Sequence, residues 1–211
     1  MIKTIVFDMG GVIFEISRLN AVKCYEEVGF LTAKDWLNDY EQKGIFGLLE
    51  SGKISEEEYR KELSLLAGKE MTWADCQYGL AGYFTGQPKE IMPELKRLHN
   101  EGYRLLLLSN TNSFMMDWVK RQDFDGEGHS IVDYLDNLYL SYEVGLMKPN
   151  PEIFQYLLDK EQIKPEETLF IDDGPCNVAA AKSLGLHTLC PKNASYWIEP
   201  LHKMLQELNT K

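Results

Sequence analysis

The sequence predicts an α/β fold, in which a parallel sheet is covered by helices on both faces and is interrupted by an inserted helical domain. Short runs of apolar and β-branched residues alternate along the chain with helical patterns, as they do in sheets of parallel strands. Residues 15–87 break this alternation, because they contain successive helical patterns separated by glycines and no convincing strand. We therefore expect a helical insertion after the first strand.

The first predicted strand covers residues 2–7, whose sequence Ile-Lys-Thr-Ile-Val-Phe is nearly continuous in apolar character. This pattern is typical of a parallel strand buried on both faces. The strand ends at Asp8, which is followed by the pair Gly10–Gly11. Further strands are predicted at Leu105–Leu108, Leu138–Leu140, Thr168–Ile171 and Thr188–Cys190.

The connections between the strands carry helix signals. A proline in the first turn and a glycine just past the last turn mark one helix, at Pro175 and Gly185. Inside the insertion, Ser55 and Glu58 have the spacing of a capping box, which begins a helix. The helices predicted between strands are Glu90–Asn100, Glu152–Lys160 and Pro175–Leu184.

Composition and charge exclude several classes of protein. The net charge of −11 comes without a long block of like charges, so we predict no binding to nucleic acid or to anionic membranes. No apolar run approaches the roughly 20 residues of a membrane helix, and the first residues lack the order of a signal peptide. We therefore predict a cytoplasmic protein. Its cysteines are scattered and are predicted to be free thiols: Cys24, Cys76, Cys176 and Cys190.

Polar residues stand where the predicted strands end. Ligands of open parallel sheets bind beyond the carboxyl ends of the strands. In this chain those ends carry Asp8, Ser109, Lys148 and Asp172. An aspartate after a strand is a weak signal by itself, because turns and helix caps also favour aspartate. The combination of the four residues indicates a functional site.

Four segments occur in order along the chain, each at the end of a predicted strand or the start of a helix. They are Phe7–Val12, Leu107–Asn110, Met147–Pro149 and Phe170–Asp173. Together they resemble the four motifs of the haloacid dehalogenase (HAD) superfamily, whose members are mostly phosphatases. Ser109–Asn112 and Glu50–Ser55 are similar to the branch that includes bacterial α-D-glucose-1-phosphate phosphatase and the phosphatase domain of soluble epoxide hydrolase.

This resemblance implies a Rossmann-like, doubly wound core formed by residues 1–14 and 88–211, with residues 15–87 as a helical cap inserted after the first strand. It also implies a magnesium-dependent phosphatase that acts on a small phosphorylated metabolite through an aspartyl-phosphate intermediate on Asp8. The oligomeric state stays open, and a monomer is compatible with the sequence.

The resemblance also assigns a metal site. A phosphate monoester is a dianion, so a carboxylate can attack its phosphorus only if the negative charge is neutralised. A hard divalent ion with oxygen ligands does this. By resemblance, Mg²⁺ would be held by Asp8, the backbone carbonyl of Gly10 and Asp172. Asp173 would help from the outer shell of the site.

The same resemblance assigns catalysis to Asp8, Ser109 and Lys148, and substrate binding to Ser109, Asn110 and Lys148. Ser109 would hydrogen-bond a phosphoryl oxygen. Lys148 would pair with the phosphate and with Asp8 as a point positive charge. Asn177 would either bond within the last motif or simply occupy the first turn of a helix, and the sequence leaves both readings open.

One position departs from the pattern of the superfamily. Most of its phosphatases carry a second aspartate two residues after the nucleophile, which protonates the leaving oxygen, but here that position is Gly10. Such acid–base help is commonly worth about 10²- to 10⁴-fold in rate. A good leaving group, a relayed water or a cap residue would have to compensate. We therefore predict a preference for sugar 1-phosphates, whose anomeric oxygen leaves readily.

Four residues of the insertion are candidates for choosing the substrate, namely Arg18, Trp36, Phe46 and Glu50. Packing within the insertion is the simpler explanation for Trp36 and Phe46, and exposure to solvent is the simpler one for Glu50. We therefore expect these ordinary roles to outweigh a role at the site.

Two other functions stay open. A non-catalytic protein that binds a phosphorylated metabolite or a partner protein would have lost turnover with the change at Gly10, yet it would not need the full set of motif residues. A metal-free 2-haloacid dehalogenase would use Asp8 to displace halide from carbon, but the acidic pair Asp172–Asp173 would then have little purpose. Magnesium dependence separates the dehalogenase from the phosphatase.

Overall fold

A computed structural model describes residues 1–38, 42–193 and 195–210 of the chain. Its strands are β1 (Thr4–Phe7), β2 (Glu15–Ile16), β3 (Phe84–Gly86), β4 (Arg104–Ser109), β5 (Asn137–Leu140), β6 (Thr168–Ile171) and β7 (His187–Leu189). Five of them form a parallel sheet in the order β5-β4-β1-β6-β7, whereas β2 and β3 form a separate antiparallel pair. The predicted α/β fold is confirmed, and the parallel sheet consists of the five predicted strands.

The α-helices of the described residues are α1 (Arg18–Glu27), α2 (Gly44–Glu50), α3 (Glu56–Ala67), α4 (Trp73–Ala81), α5 (Ile91–Asn100), α6 (Ser113–Val119), α7 (Ser141–Val144), α8 (Pro151–Glu161), α9 (Pro175–Ser183) and α10 (Ile198–Asn209). The predicted helices correspond to α5, α8 and α9. In contrast, α6, α7 and α10 were not predicted, although Ile198, Leu201 and Leu205 give α10 one buried face. Within the described residues, no helix has both the length and the apolar character needed to cross a bilayer.

The central strand β1 is buried on both faces. Ile5 and Phe7 pack in one hydrophobic layer with side chains of α5 and α10, whereas Val6 packs in a second layer with side chains of α8 and α9. Its two edges pair with β4 and β6. Because water reaches neither face nor edge, the strand is apolar along almost its whole length.

Helices α1–α4, together with β2 and β3, form the inserted unit, which we call the cap. Its hydrophobic core also includes Phe114 of α6, and the buried hydroxyl groups of Tyr25 and Tyr59 lie 2.6 Å apart within it. The capping box predicted at Ser55 begins α3. The expectation that residues 15–87 contain no strand was wrong, because β2 and β3 pair at the two ends of the cap. With two and three residues, these strands are too short to show an alternating pattern.

The buried centre of the sheet provides a test of the packing. We expect Leu107→Ala in β4, where the leucine is fully buried, to lower the free energy of unfolding by about 2–5 kcal/mol. Leu65→Ala in α3 serves as the control, since Leu65 is 74% exposed and alanine favours helix, and it should change stability by less than about 0.5 kcal/mol. Urea unfolding measures both variants. Equal losses in the two would contradict the packing described here.

Candidate active site

The carboxyl ends of β1, β4 and β6 lie side by side, because these strands are parallel neighbours. Asp8 directly follows β1, Ser109 is the last residue of β4, and Asp172 directly follows β6. Lys148 enters the same place from the segment between α7 and α8. The structure therefore brings together the four residues that the sequence placed at strand ends.

Lys148 is buried between two carboxylates. Its Nζ lies 2.9 Å from Oδ1 of Asp8 and 2.6 Å from Oδ2 of Asp172. Burial by itself would lower the pKa of Lys148, but the negative charges of Asp172 and Asp8 outweigh it, so the pKa is raised. The ammonium group therefore stays charged inside the site, where a buried charge needs such partners.

Asp172 is held by further hydrogen bonds. The backbone N–H of Gly174 donates to its Oδ1 at 2.7 Å, and Nδ2 of Asn177 lies 3.0 and 3.1 Å from its two carboxylate oxygens. Asn177 thus bonds within the motif, which was one of the two possibilities that the sequence left open. These contacts fix the orientation of a carboxylate that is completely buried.

Three carboxylates share the site with this one ammonium group. Oxygen atoms of Asp8, Asp172 and Asp173 all lie within 4.8 Å of one another. Burial raises the pKa of Asp8 to about 7, an effect that Lys148 opposes and Asp172 reinforces. Burial, followed by the charge of Asp172, raises the pKa of Asp173 to about 6. The group therefore carries more negative charge than Lys148 balances.

Oδ2 of Asp173 indicates which kind of ligand the carboxylate cluster can bind. Its Oδ2 is buried and has no hydrogen-bond partner among the described residues. A buried, unsatisfied carboxylate oxygen is unfavourable, and oxygen donors of this kind are what Mg²⁺ and similar hard cations bind. The residues present therefore fit a divalent cation.

Gly10 and Gly11 have different surroundings, which explain the lack of a side chain in different ways. Gly11 adopts a φ of +72°, and a Cβ atom there would lie 2.3 Å from Oδ2 of Asp173, so a side chain would collide with the carboxylate cluster. A Cβ atom on Gly10 would lie 3.3 Å from Cγ2 of Ile16 in β2. The place of the superfamily's second aspartate is therefore bordered by an aliphatic side chain of the cap.

Asn110 holds the backbone of Lys148. Its Nδ2 donates to the carbonyl oxygen of Lys148 at 2.8 Å, and its Oδ1 accepts from the N–H of Lys148 at 2.9 Å. This geometry explains how the lysine is positioned, whereas the substrate contact predicted for Asn110 stays a prediction. Ser109 is buried beneath the cavity and lines it, as Gly10 also does.

The site opens into a cavity between the sheet and the cap. The volume of this cavity is about 80 Å³. As expected, Phe46 is buried in the cap core and Trp36 packs against it. Arg18 donates to the carbonyl oxygens of Leu37 and Lys34, both at 2.6 Å, so its guanidinium group is engaged within the cap.

Glu50 differs from the expectation that it is solvated. It is the last residue of α2, it is half-buried, and it lines the cavity. Burial raises the pKa of its carboxyl group to about 8, and the charge of Asp8 adds to the shift. The residues around Glu50 contain no local signal for this burial, because it depends on how the cap meets the sheet.

The chain matches the haloacid dehalogenase-like hydrolase family over residues 2–185. It therefore belongs to this family, and the resemblance drawn from its four motifs is confirmed. The fold agrees with this family match, because similar solved structures are hydrolases of the same family.

Individual relatives cover almost the whole chain. D-ribitol-5-phosphate phosphatase of Bacteroides thetaiotaomicron is 42% identical over 97% of this chain and 99% of its own length. A HAD-like hydrolase structure from Porphyromonas gingivalis has a TM-score of 0.92 and 40% identity, with 98% of each chain covered. A HAD family enzyme of B. thetaiotaomicron, solved as a variant with magnesium and inorganic phosphate, has a TM-score of 0.90 and 30% identity over 95% of this chain and 99% of that one.

Asp173→Asn tests the carboxylate cluster. Because the pKa of Asp173 is raised to about 6 in the folded chain, its ionisation destabilises the metal-free protein as pH rises from about 4 through about 6. In EDTA, we therefore expect the variant to gain stability relative to the wild type above about pH 7, but not below about pH 4. Thermal unfolding at the two pH values measures this difference.

The same variant tests metal binding. Saturating Mg²⁺ should raise the melting temperature of the wild type by roughly 5–10 °C, and it should raise that of Asp173→Asn by clearly less. Asp35→Asn, at an exposed position of the cap, is the control and should behave as the wild type does. An equal magnesium effect in all three proteins would contradict the assignment of the cluster.

Proposed function

We propose that the protein is a magnesium-dependent phosphatase that hydrolyses the phosphate monoester of a small sugar or polyol. The observation that carries this proposal is the buried Lys148, which bridges Asp8 and Asp172 beside a third carboxylate. The arrangement combines a carboxylate nucleophile with positive charge fixed next to it. Family membership and the name of the 42%-identical relative support the same reaction.

In this proposal, a carboxylate oxygen of Asp8 attacks phosphorus and forms an aspartyl phosphate while the leaving oxygen departs. Lys148 orients Asp8 through their 2.9 Å ion pair and places a positive charge beside the phosphoryl oxygens. Ser109, at the end of β4, donates a hydrogen bond to one of those oxygens. Water then hydrolyses the aspartyl phosphate and restores Asp8.

The metal site proposed here consists of Asp8, the carbonyl of Gly10 and Asp172, with Asp173 next to them. Mg²⁺ bound there would supply the positive charge that allows two anions to react. The unpartnered Oδ2 of Asp173 supports this assignment. The carboxylate cluster also argues against the dehalogenase alternative, because that reaction uses no metal.

For the substrate we favour a polyol phosphate, the class named for the relative that is 42% identical over nearly the full length of both chains. A sugar 1-phosphate is the second candidate. It is favoured by the missing side chain at Gly10, because an anomeric oxygen needs less help from an acid in order to leave.

Asp8→Asn is the test of the nucleophile. The substitution keeps the size of the side chain and removes the attacking carboxylate, so we expect phosphate release to fall by at least about 10³-fold. Excess EDTA should reduce the wild type to a similar level. Asp35→Asn is again the control and should keep full activity. Turnover retained by Asp8→Asn would refute the proposed mechanism.

A substrate panel decides between the two leaving groups. We expect magnesium-dependent release of phosphate with the highest kcat/KM on pentitol 5-phosphates, compared with sugar 1-phosphates and sugar 6-phosphates. A clear preference for the 1-phosphates would favour the second candidate. If the chain binds inorganic phosphate with Mg²⁺ but releases none from any ester, it is the non-catalytic binding protein instead.

A further inference from the structure

The proposed reaction needs a proton at the leaving oxygen, and the position after Met9 does not provide it. Gly10 has no side chain, and a Cβ atom there would already approach Ile16 to 3.3 Å. A side chain at this position would require Ile16 to shift by a few tenths of an ångström. A side chain that donates this proton to a poor leaving group would therefore have to be another one on the cavity.

Among residues 1–38, 42–193 and 195–210, three carboxyl groups line the cavity, those of Asp8, Glu50 and Asp173. Asp8 and Asp173 belong to the cluster that fits a divalent cation, and the positive charge of a cation there would favour their ionised forms. Glu50 is the remaining carboxyl group on the cavity in the described part of the chain. It approaches the cavity from the cap, opposite the strand ends that carry the phosphoryl site.

The backbone at Glu50 is fixed against the sheet-containing part of the chain. Oγ of Ser141, at the start of α7, donates to the carbonyl oxygen of Glu50 at 2.6 Å. Two residues later, Gly52 has a φ of +66°, and a Cβ atom there would lie 2.3 Å from the carbonyl oxygen of Tyr142. The chain can pass this close only with glycine at position 52. These contacts hold Glu50 over the site.

The carboxyl group of Glu50 has neither a hydrogen bond nor an ion pair with residues 1–38, 42–193 or 195–210. A half-buried carboxylate without a cation or donor is poorly stabilised, so the protonated form is favoured. Its raised pKa of about 8 has this origin, namely burial and then the charge of Asp8. At neutral pH, Glu50 is therefore able to give a proton away.

We propose that Glu50 is the general acid and base of the reaction, in the role that an aspartate at position 10 fills in related phosphatases. This inference rests on the proposed phosphatase function. As Asp8 attacks and the bond from phosphorus to the leaving oxygen breaks, that oxygen takes the proton of Glu50. The Glu50 carboxylate then takes a proton from the water whose oxygen attacks the aspartyl phosphate. The bond from phosphorus to Asp8 breaks, and both side chains return to their starting states.

Two esters of similar size separate this role from binding. Benzyl phosphate has a poor leaving group and 4-nitrophenyl phosphate a good one, and neither offers a hydroxyl group to Glu50. We expect Glu50→Gln to lower kcat/KM about 100-fold or more on benzyl phosphate, but less than about threefold on 4-nitrophenyl phosphate. The ratio kcat/KM reports the steps up to departure of the leaving group, so the later hydrolysis does not interfere. Glu50→Asp, which keeps a carboxyl group, should recover part of the loss.

The same kcat/KM measurements on the two esters provide the control and the outcomes that would contradict the proposal. Glu62→Gln, at an exposed position of α3, should match the wild type on both esters. Equal losses on the two esters, or a loss on a pentitol 5-phosphate alone, would overturn the proposal, because Glu50 would then act in binding. Wild-type turnover of the nitrophenyl ester without turnover of benzyl phosphate would overturn it as well. If the wild type releases phosphate from no ester, the proposed function fails first, and the role of Glu50 fails with it.

Discussion

The ammonium group of Lys148 lies between the carboxylates of Asp8 and Asp172. This contact depends on how the ends of the parallel strands are arranged. A buried lysine is stable only if both partners arrive at fixed positions. Parallel pairing provides this, since Phe7 stands opposite Ile171 in the register of β1 and β6, so the next residue of each strand is an aspartate at the same level. The two strands therefore place two carboxylates next to each other. Asn110 hydrogen-bonds the backbone of Lys148 and so positions the lysine beside them.

The same contact leaves a charge imbalance that gives the site its chemistry. One ammonium group faces three carboxylates, and the pKa values of Asp8 and Asp173 are raised first by burial and then by the charge of Asp172. A site in this state attracts a divalent cation, and a bound cation in turn attracts a phosphate dianion. Because Asp172 is held by Gly174 and Asn177, the cluster is formed before any ligand arrives. Stability and catalysis therefore make opposite demands on the same few side chains.

The sequence predicted the features whose cause is local. β1 and β6 are apolar throughout because both faces are covered, and that pattern is visible without a structure. Glu50 could not be predicted, because a glutamate at a helix end looks the same whether it faces water or a cavity. Its backbone contacts Ser141, which lies 91 residues away along the chain, so its surroundings depend on distant segments. The pairing of β2 with β3 escaped prediction because it also depends on distant segments and on strands too short to show a pattern.

The proposed role of Glu50 divides the reaction between two parts of the fold. The strand ends hold the phosphoryl group, whose chemistry is common to all phosphate monoesters. The leaving group differs between substrates, and its surroundings belong largely to the cap, through Ile16 and Glu50. The position of Glu50 depends on two contacts of the cap, the hydrogen bond from Ser141 to its backbone and the close approach of Gly52 to Tyr142. Loss of the aspartate at position 10 then does not mean loss of acid catalysis, because the donor lies in the part of the chain that surrounds the leaving group.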